Sequence, residues 1–338
     1  MSPTSANPWE GPRIRAVVAT LLPWILLIGA SWLAFSRLRQ PSAMLQLWRS
    51  WAEVGVLACG MTAIILTGGI DLSVGSIIAL CGVVLGVLWH GLGWPIGPAA
   101  AGAMAVGLLA GAINGTLVLI GISPLVATLA TMASYEGLAM AISRGARVAG
   151  LPASFTALGQ GAWLGLPNQL WLLVIVFAVA AIVVHHTRFG RYLYAIGDNR
   201  TAAELAAVPV GWLEWSLYCT SGVLAGTVAL IYTARAGAAV PNAGLGLELQ
   251  VIACVVLGGT RVTGGAGGIG RTLLGLAILA HLEIGLRLLR SVHIPVPGTS
   301  LSWQLNANGR LVVIGLLLIA VAVLNERLAS GKDASSRA

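Results

Sequence analysis

The sequence predicts an all-α polytopic membrane protein with about ten transmembrane helices, and three features of its composition support this. Of its 338 residues, 57% are hydrophobic and only 9% are charged, whereas soluble proteins carry about 25% charged residues. The mean hydropathy is +0.90. The apolar residues form long runs that glycine, proline and arginine clusters separate, which is typical of repeated membrane spans rather than of one soluble core.

Counting about 20 residues for each span, we place ten helices, with two interrupted segments near residues 67–76 and 257–266. The predicted spans are residues 16–35, 52–68, 73–91, 95–121, 123–143, 169–187, 213–235, 247–260, 271–289 and 307–325. Together they form a single transmembrane domain, residues 16–325. The first span is long and lacks an evident small-residue cleavage site, so we expect a retained helix rather than a signal peptide.

The orientation of these helices follows only weakly from charge. With the N-terminus inside the cell, residues 1–15 and 326–338 are cytoplasmic tails, and a loop at about 188–212 lies on the same side. Ten of the basic residues then fall inside and nine outside. Because this difference is so small, the positive-inside rule supports the orientation without deciding it.

The sequence also argues against several other functions. The formal net charge is +8, but the basic residues are scattered, so we expect contact with membrane lipid and no nucleic acid. Residues 265–272 differ from a phosphate-binding P-loop by Arg271 in place of lysine, and they lie among membrane helices, so we expect no nucleotide. We expect no metal, cofactor or catalytic residues. The cysteines stand alone in apolar runs, where we expect small buried side chains: Cys59, Cys81, Cys219 and Cys254.

The first interrupted segment, residues 67–76 (TGGIDLSVGS), carries an acidic residue between two apolar runs. A carboxylate at the bilayer centre costs about 2.5–3.5 kcal/mol on insertion scales, so it normally faces a cavity or a partner. Two interpretations stay open: Asp71 lies on a transport path, or it caps the helix that begins near Ser73. The candidate path residues are Gly69, Asp71, Ser73, Ser76 and Asn114. For Asn114, helix packing is the alternative.

The second interrupted segment, LGGTRVTGG at residues 257–265, resembles the first. When its glycine pair is aligned with Gly68 and Gly69, Arg261 falls opposite Asp71. Paired breaks in the two halves of a transporter point to a binding region and to an internal repeat. Chance similarity between two glycine-rich turns is the alternative.

The longest polar segment, residues 185–211, predicts a short helix on a basic loop. Asp198 or Asn199 is placed to cap this helix. The alanines form a smooth face, which suits docking into a partner's cleft; a plain surface helix is the alternative. That face comprises Ala202, Ala203, Ala206 and Ala207. The candidate coupling residues are Gly197, Asp198, Asn199, Ala202, Ala203 and Glu204.

Three motifs occur in order along the chain: GIDLSVGS at 69–76, TRFGRYLYAIGDN at 187–199 and ACVVLGGT at 253–260. Together they resemble the permeases of ribose-type ABC importers, a family that also includes autoinducer-2, xylose, galactose and rhamnose permeases. The likeness runs from about Gly55 to Leu324.

The resemblance implies a permease subunit of an importer for a sugar or sugar-like molecule in the bacterial cytoplasmic (inner) membrane. It implies three protein partners: a cytoplasmic ABC ATPase subunit, a periplasmic sugar-binding protein and a second permease copy, in a homo- or heterodimer. It also implies that the loop at 197–211 is the coupling helix. From the residues alone, a proton-coupled secondary transporter that uses Asp71, Glu136 or Glu283 is the alternative.

Overall fold

The structure is a computed structural model of the chain and describes residues 41–288, 291–296 and 299–304, with the single positions 29, 309, 312, 315 and 316. Apart from those single positions, the predicted spans 16–35 and 307–325 lie outside the described residues, and so do both predicted tails. The chain divides into two compact units, and everything discussed below as a site lies in the larger one, within Trp48–Ala277.

Eleven α-helices occur in the described part of the chain. They are α1 Pro41–Leu66, α2 Val74–Gly86, α3 Ile96–Leu119, α4 Pro124–Ser143, α5 Ala153–Gln160, α6 Asn168–His186, α7 Arg188–Asp198, α8 Arg200–Leu205, α9 Val210–Ala236, α10 Leu247–Leu257 and α11 Ile269–Leu288. A π-helical turn, Val87–Gly91, extends α2. Short antiparallel strand pairs join β1 Val148–Ala149 to β4 Ala238–Ala239, β2 Ala162–Trp163 to β3 Leu166–Pro167, and β5 Ser291–Val296 to β6 Thr299–Gln304.

Six helical segments in the described part are long and apolar enough to cross a membrane. They are Met44–Leu66, Val74–Gly91, Ile96–Leu119, Pro124–Ser143, Asn168–His186 and Val210–Ala236. Each one overlaps a span predicted from the sequence, so the prediction of an all-α polytopic membrane protein is confirmed. The total of about ten spans is not confirmed.

The predicted span at residues 247–260 is a half-length helix. α10 has 11 residues, which is about 16 Å at a rise of 1.5 Å per residue and about half of a hydrocarbon core of about 30 Å. The predicted span runs three residues past the end of α10, into the second interrupted segment, where Gly259 has φ +83°. α10 is therefore not among the helices long enough to cross a membrane.

The first break begins with a glycine turn at the end of α1. The Gly69 N–H donates to the Ile64 carbonyl at 3.1 Å, and the Gly68 N–H donates to the Ile65 carbonyl at 2.9 Å. Gly68 has φ +82°, a conformation that costs glycine little because it has no Cβ. These two bonds form a Schellman motif, which satisfies the last carbonyls of the helix.

The second break begins in the same way. The Thr260 N–H donates to the Val255 carbonyl at 3.2 Å, and the Gly259 N–H donates to the Val256 carbonyl at 2.8 Å. The geometry thus aligns Gly259 with Gly68, one residue away from the alignment predicted from the sequence. Val262, rather than Arg261, occupies the position that corresponds to Asp71.

Small residues let α3 and α9 pack with their main chains in contact. A Cβ atom built on Gly111 would collide with the Tyr218 carbonyl, and one on Gly222 would collide with the Gly107 carbonyl. Such close approach is how helices associate in lipid. The cysteines are all free and buried, as expected: Cys59, Cys81, Cys219 and Cys254.

An ion pair that the sequence reading did not identify joins α1 to α9. Arg235 Nε lies 2.8 Å from Glu53 Oε1, and Arg235 Nη2 lies 2.9 Å from Glu53 Oε2. Glu53 is only 3% exposed. The two-pronged geometry gives the buried carboxylate a donor for each oxygen, as a charge inside a membrane protein requires.

Candidate functional site

Asp71 lies at the centre of a hydrogen-bond network inside the bundle. The Ser73 N–H and the Ser73 hydroxyl donate to Asp71 Oδ1 at 2.9 and 2.7 Å. The Ser221 hydroxyl of α9 donates to Asp71 Oδ2 at 2.7 Å. Asp71 is 0% exposed. The carboxylate therefore bonds to Ser73, the residue before α2, and ties the break to a distant helix. The start of α2 has no side-chain cap hydrogen bond.

The network continues from the break into α3 and α4. The Asn114 amide donates to the Ser73 hydroxyl at 2.6 Å, and the Tyr135 hydroxyl donates to Asn114 Oδ1 at 3.3 Å. The Ser76 hydroxyl donates to the Ser73 carbonyl at 2.8 Å. Four of the five candidate path residues thus belong to one connected network. Hydrogen bonds to charged groups contribute about 1.5–3 kcal/mol each, so the network fixes the break against three neighbouring helices.

Gly69, the fifth candidate, lies beside a buried tyrosine. A Cβ atom on Gly69 would approach the Tyr218 hydroxyl at 2.9 Å. That hydroxyl is buried and accepts or donates no hydrogen bond among the described residues. Three residues of the site were not predicted from the sequence: Tyr135, Tyr218 and Ser221. They lie far from the motif along the chain, and no local pattern connects them to it.

A cavity of about 50 Å³ lies between Ser76 and the start of α10. Its lining brings together two carboxylates, Glu136 of α4 and Glu248 of α10. The lining residues are Gly75, Ser76, Ala79, Met132, Glu136, Pro241, Asn242, Ala243, Leu245 and Glu248. Since a water molecule needs about 10–15 Å³ of such space, the cavity has room for a few water molecules. It is a small, mostly apolar chamber with two carboxylates in its lining, and it lies at the start of α10.

The candidate coupling segment consists of α7 and α8. Of the two residues predicted to cap α8, Asn199 does so: its Oδ1 accepts from the Ala202 N–H at 3.0 Å. Arg200 bonds to the exposed Glu204 at 3.1 Å and to Glu214 of α9 at 2.5 Å. The cap stabilises the start of α8, and the Arg200–Glu214 ion pair holds α8 against the start of α9.

The exposed face of α8 differs from the predicted one. Ala203 is only 4% exposed and packs against Ile196, Val210 and Leu213. Leu205 is 85% exposed. The buried Ala203 supports α8 from within, whereas Leu205, which the sequence reading did not single out, projects from its end. The exposed alanines of the predicted face are Ala202, Ala206 and Ala207.

Comparison with known proteins places the chain in a family. A family model described as branched-chain amino acid transport system / permease component matches residues 43–322. The chain is 38% identical over 321 residues to the ribose import permease protein RbsC of Escherichia coli (strain K12), covering 92% of this chain and 90% of that protein.

Two further relatives agree. The chain is 39% identical to RbsC of Bacillus subtilis (strain 168), covering 82% of this chain and 85% of that protein. It is 35% identical to the autoinducer 2 import system permease protein LsrD of Klebsiella pneumoniae, covering 83% and 84%. No solved structure gives a significant match. The chain therefore belongs to the permease family that includes the ribose and autoinducer 2 import permeases.

Proposed function

We propose that this chain is the transmembrane subunit of an ATP-binding-cassette importer for a sugar or sugar-like small molecule. The observation that carries the proposal is the match to the E. coli ribose import permease, 38% identical over 90% of that protein's length. The chain forms the translocation path and has no catalytic activity of its own. ATP hydrolysis takes place on a separate subunit.

The proposed assembly contains a cytoplasmic ABC ATPase subunit, a periplasmic sugar-binding protein and a second permease copy in the inner membrane. The α7–α8 segment is the proposed contact with the ATPase. Its support is the shape of α8, where the exposed Leu205 and Ala202 offer an apolar tip to a cleft. Glu204 and Asp198 add polar groups at its edge, and Gly197 lies where α7 ends.

The proposed path runs past the first break and the cavity beside it. Carboxylates accept hydrogen bonds from the hydroxyl groups of a sugar, and Glu136 and Glu248 both face the cavity. Short or interrupted helices lie at the substrate sites of many transporters, and the short helix α10 begins here. Because the cavity has room for only a few water molecules, a sugar enters only after the surrounding helices separate. Ser76 connects this chamber to the Asp71 network.

A proton-coupled secondary transporter that uses Asp71, Glu136 or Glu283 is not favoured, because the relatives are permeases of import systems. Asp71 is also fully enclosed by its hydrogen-bond donors in this structure.

Reconstitution into proteoliposomes tests the proposed function. The purified chain, its ATPase and its binding protein are combined, and uptake of radiolabelled D-ribose and of a panel of other labelled sugars is measured. We expect uptake of at least one sugar only when ATP and both partners are present. Liposomes with the chain alone and an imposed proton gradient serve as the control. Uptake by the chain alone would overturn the proposal.

A further inference from the structure

The two helix breaks and the coupling segment meet at one point. The Gly265 N–H of the second break donates to the Leu66 carbonyl, the last residue of α1, at 3.0 Å. Carbonyls at the end of a helix have no partner within it, so this bond joins the two breaks through their main chains. No side chain takes part in the contact.

The end of α7 lies directly on this hydrogen bond. A Cβ atom on Gly197 would collide with both the Leu66 carbonyl oxygen and the Gly265 nitrogen. Gly264 packs equally closely, because a Cβ there would lie 2.9 Å from Gly197 Cα and 2.9 Å from the Gly68 nitrogen. These neighbours are all main-chain atoms, which cannot rotate aside as a side chain can. The three segments therefore fit together only because glycine occupies these positions.

A second contact holds α7 to the same loop. The Tyr194 hydroxyl donates to the Gly267 carbonyl at 3.1 Å, and Leu193 and Ile196 on α7 are buried. α7 is thus anchored in the turn just before Gly197. Beyond Gly197 the chain passes from Asp198 through the capping residue Asn199 into α8.

We infer that the junction of Leu66, Gly197 and Gly265 transmits movement of the α7–α8 segment to both helix breaks, with Gly197 and Tyr194 as positioning residues. The inference rests on the proposed function. Closely packed main chains cannot move independently, so a displacement of α7 moves the end of α1 and the loop before α11 together. Leu66 is five positions before Asp71 along the chain, so the same displacement reaches the buried network and the cavity beside it.

The test uses the complete importer in proteoliposomes and measures ATP hydrolysed per sugar molecule imported, with the sugar found to be transported by the wild type. Gly197→Ala separates α7 from the two breaks. We expect hydrolysis per imported sugar to rise about five- to tenfold, in the range of coupling between sites. Gly270→Ala is the matched control, since a Cβ there meets nothing within 4 Å, and it should leave the ratio unchanged.

Tyr194→Phe keeps the inference testable if Gly197→Ala does not fold. This variant removes one hydrogen bond without adding bulk, and we expect a smaller rise of about two- to threefold in the same ratio. An unchanged ratio in Tyr194→Phe, or in a folded Gly197→Ala, would overturn the inference. Absence of ATP-dependent uptake in the wild type would instead refute the proposed function, so the two failures are distinguishable.

Discussion

α1 and α10 end in the same glycine turn, yet the chain takes a different course after each. After α1, Asp71 turns into the bundle, is 0% exposed and accepts hydrogen bonds from Ser73 and Ser221. After α10, Arg261 is exposed. A run of glycines with positive φ follows it: Gly264, Gly265, Gly267 and Gly268.

The comparison shows that the glycine turn sets only where a helix ends. The side chains that follow decide what the break does. In the first break a buried carboxylate bonds to Ser221 of α9, and the network around it reaches α3 and α4. In the second break the main chain of the loop packs against α7. Side-chain hydrogen bonds therefore hold the first break in the bundle, whereas main-chain contacts hold the second break to α7.

Replacing the buried carboxylate should have the largest effect on stability. Asp71→Leu leaves the Ser73 N–H and the two serine hydroxyls without their acceptor, and each buried unpaired donor costs about 1–3 kcal/mol. We expect a strongly lowered melting temperature for the detergent-purified protein. Val262→Leu, at the corresponding position of the second break and 44% exposed, is the control and should melt like the wild type. Equal melting of the two variants would show that the breaks do not differ in this way.

Removing one buried hydroxyl at each break should lower the stability by an intermediate amount, and by different amounts at the two breaks. Ser221→Ala deletes a hydrogen bond to a carboxylate, which is expected to cost about 1.5–3 kcal/mol in the free energy of unfolding. Thr260→Val should cost almost nothing, because the Thr260 hydroxyl is buried without a hydrogen-bond partner among the described residues. Thermal or denaturant unfolding of both variants measures the difference. A larger loss from Thr260→Val would contradict the assignment of the buried network to the first break.

The smallest expected loss of stability comes from changing the glycine turn, which both breaks share. Gly68→Ala and Gly259→Ala each force alanine into a positive φ, which costs about 1–2 kcal/mol. Gly68→Ala should lower the stability slightly more, because a Cβ at residue 68 lies 3.3 Å from the Thr263 carbonyl oxygen, whereas one on Gly259 meets nothing within 4 Å. Melting temperatures of the two variants test this. Stabilisation by either substitution would show that the turns are not equivalent.

Much of the fold could be predicted from the sequence, because hydropathy and glycine act locally. The six described spans, the position of both breaks and the cap at Asn199 all follow from neighbouring residues. The length of α10 could not be predicted in this way, because the backbone conformation of Gly259 decides where that helix ends. Of the site, the residue types near Asp71 were predictable, whereas their partners on α4 and α9 were not.

Hydropathy and turn residues alone predict a helical membrane protein with two glycine breaks and a capped polar loop. These properties depend on hydrophobic run length and on turn conformation within a few residues. Only the tertiary structure decided that Ser221 binds Asp71, that Glu53 pairs with Arg235, that Ala203 points inward and that Gly197 lies on the bond between the two breaks. Those contacts join residues far apart along the chain, so helix packing sets them and no local pattern can.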